Sequence, residues 1–321
     1  MLNSSNHIGI RAKIYYALRF YAQNSPAFRL LQALRAYLVM GPLRKTVVWY
    51  YRNCHRNVPL KTQGPPLFSR MDVIKIANTI EETGYAHVGN LPDELISRIL
   101  NYCDVNKRVS YWNPHEDCEA IRHIARNVDI VEIARRYLGA EPILWLTRLR
   151  WSLPSDDNVL DLQPSIHNEP REYDPLAFHY DVNDFKSLTV FVYLTDIDDL
   201  DSGAHVMIEG THKNKSIKEI GNRHLSDDVA HRIYGDRIRP ILGQKGTVFA
   251  EEASAYHKVA VCRKRRLILM IYYVLARKVP PARLVTNAST RKCDVALLSL
   301  FSLGFSSSLW DAIVCQIRNF F

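Results

Sequence analysis

Residues 177–198 read AFHYDVNDFKSLTVFVYLTDID, and the fold turns on what His179 and Asp181 are doing there. The two stand two positions apart, directly before a run that alternates like a strand. Side chains at i and i+2 of an extended segment project to the same side, so both can reach one ion. The bare triplet is weak evidence. With 12 His and 33 acids in 321 residues, random order gives about one His-x-acid, and three occur, at His115, His167 and His179. Context separates them. His115 lies in WNPHEDCEA, which reads as a helix start with Glu116 and Asp117 in the first turn. His167 lies in an irregular loop, where a solvated imidazole is the expectation. Only the pair at 179 and 181 borders a strong strand pattern.

A facial-triad iron(II) site takes two imidazoles and one carboxylate and leaves the remaining positions open. The second imidazole must come from another strand. His224 and His231 fall in a basic, helical insertion near 216–235 and are expected to be exposed. His205 and His212 flank a short strand and its turn, where structural hydrogen bonds are the ordinary explanation. His257 ends GTVFAEEASAYHKV, in which Gly246 opens an extended apolar run that delivers the imidazole near a strand end. Arg266 follows nine residues later at the start of RLILMIYYVL, where a guanidinium can take a carboxylate in bidentate fashion. His257 is therefore the preferred third ligand. Arg263 and Arg265 leave the position of the anchoring arginine open by a residue or two.

Around this core, MDVIKIANTIEETG reads as a helix ended by Gly84, YAHVGN as a short strand, and LPDELISRILNYC as a helix opened by Pro92. A further helix spans about 128–138 and stops at Gly139. GAEPILWLTRLRWSLP begins a β-rich half with strands at 188–196, 204–208, 246–251 and 266–275. Residues 155–175 carry acids and prolines without periodicity, the pattern of a functional loop or lid.

The order of parts resembles the phytanoyl-CoA dioxygenase family of iron(II)- and 2-oxoglutarate-dependent oxygenases, over roughly residues 75–276. FHYDV matches its H-x-D. YLTDIDDLDSGAHVMIEGTHK matches its strand, acidic turn and G-[ST]-H-K block. YHKV followed by Arg266 matches its distal His and cosubstrate arginine. The resemblance implies a mainly β protein with flanking helices, built on a double-stranded β-helix of the jelly-roll, cupin-like kind. It also implies Fe(II) on His179, Asp181 and His257, with Arg266 on the far carboxylate of 2-oxoglutarate as cosubstrate. The implied activity is hydroxylation of an unactivated C–H bond of a small molecule by dioxygen. Halogenases of this kind have a small residue where Asp181 stands, which favours hydroxylation here. Tyr193 and Arg150 are the candidates for the other end of the cosubstrate. A cupin-like metal enzyme that does not use 2-oxoglutarate, and a non-catalytic barrel associated with a membrane or partner, stay open as alternatives.

Charge is unevenly placed. Eleven of the 42 Lys and Arg residues precede Asp72, with no acid among them, leaving 31 bases against 33 acids in the remainder. The net charge of +9 therefore belongs to an N-terminal arm. Residues 1–70 read as this basic helical arm, 71–290 as the oxygenase domain and 291–321 as an apolar tail. In NSPAFRLLQALRAYLVMGP, Ser25 and Pro26 open an amphipathic helix and Gly41-Pro42 stops it. Such an arm suits anionic lipid or an acidic carrier protein, with no specific nucleic-acid binding expected. Sixteen uncharged residues between Asp294 and Asp311 fall short of the roughly 20 a spanning helix needs. Six cysteines without a CxxC pair indicate reduced thiols, and no signal peptide is seen. The expectation is a cytoplasmic protein, with peripheral membrane contact through the arm.

Overall fold

The computed structural model describes residues 36–69, 71–154, 176–213, 215–221 and 223–276. The loop at 155–175, His167, most of the amphipathic helix at 25–41 and the apolar tail lie outside the described residues.

The chain enters through helix α1 (Leu43–Asn53) and continues into α2 (Val73–Thr83), β1 (Tyr85–Asn90), α3 (Asp93–Asn106), β2 (Ser110–Trp112), α4 (Glu119–Ala125) and α5 (Val128–Leu138). The strands β3 (Ile143–Ser152), β4 (Phe178–His179), β5 (Ser187–Tyr193) and β6 (His205–Ile208) follow. An insertion of α6 (Ile217–Gly221), β7 (His224–Leu225) and α7 (Asp227–Tyr234) leads to β8 (Ile238–Ile241), β9 (Thr247–Glu251), β10 (His257–Val259) and β11 (Arg266–Val274). The breaks fall where backbone chemistry puts them. Asp72 caps α2 by accepting from the Lys75 N–H, and Gly84 ends it at φ +100°. Asn127 caps α5 and Gly139 closes it.

Among the described residues eleven strands form two antiparallel sheets, ordered β1-β9-β5-β11-β3-β2 and β7-β4-β10-β6-β8. Alternation across β11 shows which face is which. The Tyr273 hydroxyl donates to the Ala125 carbonyl, so the face of Leu267, Leu269, Ile271 and Tyr273 packs under the helices. The other face carries Arg266 and Ile268. Ile268 pairs with Tyr193, whose hydroxyl accepts from the His205 N–H of the opposite sheet. Arg266 therefore stands on the inner wall, facing the smaller sheet. Two face-to-face sheets with helices packed outside them make the double-stranded β-helix that the resemblance implied.

Two features differ from the sequence expectations. The helix after His115 begins at Glu119, because residues 114–117 form a turn. The insertion expected to be basic holds Glu219, Asp227 and Asp228 against Lys218, Arg223 and Arg232, so it is balanced. The helix does stop at Gly41-Pro42, as expected, and a separate helix, α1, starts at Leu43. Part of the arm is packed: Ala36, Val39, Met40 and Tyr51 are buried in the main apolar cluster. Cys103, Cys118 and Cys262 are buried free thiols and Cys54 an exposed one. No helix among the described residues is long and apolar enough to cross a membrane.

Candidate metal centre

The short strands of the smaller sheet set the site. His257 on β10 is the register partner of His179 on β4, and directly opposed residues share a face. Their ring centroids are 4.5 Å apart. Asp181 follows His179 by two residues, its backbone N–H held by the Ala253 carbonyl at 2.8 Å. One ligand atom from each of His179, Asp181 and His257 can be chosen so that all lie within 4.8 Å of one another. They are the one such group of three His, Cys, Asp or Glu side chains among the described residues.

The protonation state is set by the backbone. His179 Nδ1 lies 2.9 Å from the Ala177 carbonyl and His257 Nδ1 lies 3.0 Å from the Ala255 carbonyl. A carbonyl only accepts, so each Nδ1 carries the proton and donates, and each Nε2 presents its lone pair. Burial, then the neighbouring His257, holds the His179 imidazole down to about 3. It is neutral at neutral pH, as a metal ligand must be. Fe(II) fits this donor set: two open imidazole nitrogens and one carboxylate from two elements on one face.

Arg266 lies on the opposite wall, 4% exposed. Its Nη1 donates to the Gly203 carbonyl at 2.5 Å and its Nη2 to Ser152 Oγ at 3.3 Å, while Nε is buried with no partner. No acidic side chain among the described residues pairs with it. A buried guanidinium in that condition fits a bound anion such as the distal carboxylate of 2-oxoglutarate. The two neighbouring arginines are excluded by exposure: Arg263 is ion-paired to Asp201 and Arg265 stacks on Trp151. Tyr193 is also accounted for. Its hydroxyl donates to the Ile241 carbonyl at 2.8 Å while accepting from His205, so it is a cross-sheet brace rather than a cosubstrate ligand. Arg150 lies on the inner face, opposite Ile268.

The remaining histidines sort by contact. His205 Nε2 lies 2.6 Å from Glu251 Oε2, and His212 Nε2 lies 3.1 Å from the Glu81 carbonyl, the structural bonds expected of them. Burial lowers the His205 imidazole, with the Arg266 charge acting the same way. Burial raises its partner Glu251. His231 is exposed, as expected. His224 is not: it is half-buried on β7, the register partner of His179, with ring centroids 6.2 Å apart. The sequence could not place it, because β7 is two residues long and its neighbour is set by the sheet.

No protein-family model and no curated protein matches the chain. Among solved structures it is similar to the epimerase SnoN in complex with Fe3+, alpha ketoglutarate and nogalamycin RO. That match has 15% identity over 68% of this chain and 91% of that one, at TM-score 0.47. EctD from S. alaskensis with bound Fe matches at 15% identity over 70% and 85%, TM-score 0.46. The carbocyclase SnoK from nogalamycin biosynthesis, described as non-heme and alpha ketoglutarate dependent, matches at 16% over 65% and 87%, TM-score 0.43. At these scores the likeness adds nothing to what the sheet topology and the triad already say.

Proposed function

We propose that the chain is an Fe(II)- and 2-oxoglutarate-dependent oxygenase that hydroxylates an unactivated C–H bond of a small molecule. The observation that carries the reading is the pairing of two features across one barrel. Three converging donors, two imidazoles with open Nε2 atoms and one carboxylate, stand at the smaller sheet, and an acid-free buried guanidinium stands on the wall facing them. When bound, the ion and cosubstrate supply the oxidation: 2-oxoglutarate and dioxygen yield succinate and carbon dioxide, and the second oxygen atom goes into the substrate C–H bond.

The chain's own residues have separable tasks. Ala177 and Ala255 fix the tautomers of His179 and His257 through their carbonyls. Asp181 supplies the carboxylate that lowers the charge of the site. Arg266 orients a dicarboxylate by its far end. Phe191 and Phe249, stacked at 4.9 Å on the inner wall, exclude water from that side. For the substrate, a lipid- or carrier-linked small molecule is the reading the basic, acid-free arm supports.

The test is a metal titration of the apo-protein with Co(II), followed by succinate release from the Fe(II) form without added substrate. Wild-type protein is expected to bind one ion and release succinate slowly. His257→Ala and Asp181→Ala are expected to lower metal affinity by about 100-fold and abolish succinate. Wild-type metal affinity in either variant would remove the ligand assignment. Metal binding that is indifferent to 2-oxoglutarate would instead favour a barrel using its metal otherwise.

A further inference from the structure

The ligand-bearing segments carry a tyrosine beside each imidazole: Tyr180 between His179 and Asp181, and Tyr256 directly before His257. In extended backbone neighbours alternate, so both tyrosines point away from the triad, toward the outer side of the smaller sheet. There they meet. The rings are fully buried, with centroids 5.4 Å apart at 81°. The ammonium of Lys215 lies over both, 4.3 Å from the Tyr180 centroid and 4.1 Å from that of Tyr256. Its one hydrogen bond to a described residue goes to the Thr211 carbonyl at 2.8 Å.

Further ties in this cluster reach the ligand-bearing segments. Thr211 Oγ1 accepts the Tyr256 N–H at 2.9 Å, and Arg223 Nη2 donates to the Tyr180 carbonyl at 3.2 Å. The Tyr180 hydroxyl donates to the Ile220 carbonyl at 2.7 Å, which anchors the ring under α6. The acid Glu219 sits in the same helix, bonded to Tyr234 and to the Ser216 N–H.

We propose that Lys215 is a positioning residue for the metal triad: its ammonium, clamped between Tyr180 and Tyr256, fixes the separation of the β4 and β10 segments and so of their ligand atoms. This rests on the metal reading above. A cation over two ring faces is attracted to both, and the same burial draws the Lys215 ammonium down to about 7, so the contact is at full strength below that pH. The three ligand atoms must also close further on binding. Facial ligands about 2.1 Å from an ion are roughly 3 Å apart, so the spacing of their backbones sets how much strain that closure costs.

Methionine packs well against aromatic rings and fills a lysine's volume, so a lysine that only fills space would be replaced without effect on the metal. Arginine keeps the cation over both rings. Lys215→Met is therefore expected to raise the Co(II) dissociation constant of the full chain about tenfold or more, and Lys215→Arg to stay within about threefold of wild type. The unfolding midpoint of the metal-free protein is measured beside each titration, so that a change in affinity is read only on folded protein. If Lys215→Met does not fold, Tyr180→Leu removes one plate of the clamp and is expected to move affinity in the same direction. Wild-type affinity in folded Lys215→Met, or an equal loss in Lys215→Arg, would overturn the positioning role while leaving the triad intact. Absence of Co(II) binding by the wild type would overturn the metal reading and this inference together.

Discussion

At the scale of single residues, Arg266 makes the sharpest demand. Removing a guanidinium from water costs several kcal/mol unless it is compensated, and here the compensation is one carbonyl, one hydroxyl and an orphaned Nε. A bound carboxylate would complete it. Arg266→Met keeps much of the volume and is expected to raise the dissociation constant for 2-oxoglutarate by about 30- to 100-fold, the worth of a charge-assisted pair. Co(II) affinity should stay at the wild-type value. Equal loss of both would mean that the substitution disturbs the barrel rather than the cosubstrate. The positions of His179, Asp181, His257 and Arg266 were legible in the sequence because each depends on short-range alternation or on the start of a strong strand. His224 and Lys215 were not. Their importance depends on which strand lies beside β4 and on what two tyrosines meet on the outer face, and neither relation has a local signature.

At the scale of elements, α1 is where local pattern gave no reading. Its inner face is Arg44, Val47, Val48 and Tyr51, so an arginine stands at a position where an apolar residue would be looked for. Arg44 Nε donates to the Phe185 carbonyl at 2.6 Å and Nη1 to the His212 carbonyl at 3.1 Å, and Nη2 lies 3.6 Å from Glu252. Glu252 is fully buried, bonded also to the Tyr137 and Ser187 hydroxyls, and its backbone N–H is held by Gly84. One side chain thus ties the arm to the loop between β9 and β10, five residues before His257. Arg44→Ala strands a buried carboxylate and is expected to cost about 3–5 kcal/mol of unfolding free energy. Denaturant unfolding of the metal-free chain measures this, and a loss below about 1 kcal/mol would show that water or another donor replaces the guanidinium. The long strands and the helices at 73–83 and 128–138 were legible because caps and periodicity agree there. A helix whose inner face is led by arginine carries no such agreement.

At the scale of the whole molecule, charge is segregated and part of the basic segment is bound into the fold. Ala36, Val39, Met40 and Tyr51 belong to the core, so the described contacts of the arm begin at residue 36. Deleting residues through Lys61 would remove Arg44 and Tyr51 with them, whereas deleting 1–35 costs none of the described contacts. Five of the eleven bases, Arg11, Lys13, Arg19, Arg29 and Arg35, leave in the shorter deletion. On the remaining chain Trp49 is 59% exposed on α1, with Lys45 one turn before it and Arg56 beyond, a face that suits the interface of an anionic bilayer. Each base near such a surface contributes about 1 kcal/mol, screened by salt. Full-length protein is therefore expected to sediment with phosphatidylcholine vesicles containing phosphatidylserine and not with phosphatidylcholine alone, the deletion of 1–35 weakening this by at least about tenfold. Equal sedimentation of the two chains on anionic vesicles would place any lipid contact on the folded domain. If neither chain sediments, the arm's charge gives no reason to expect a lipid-presented substrate, and a soluble acidic carrier becomes the partner to test against the same pair of chains.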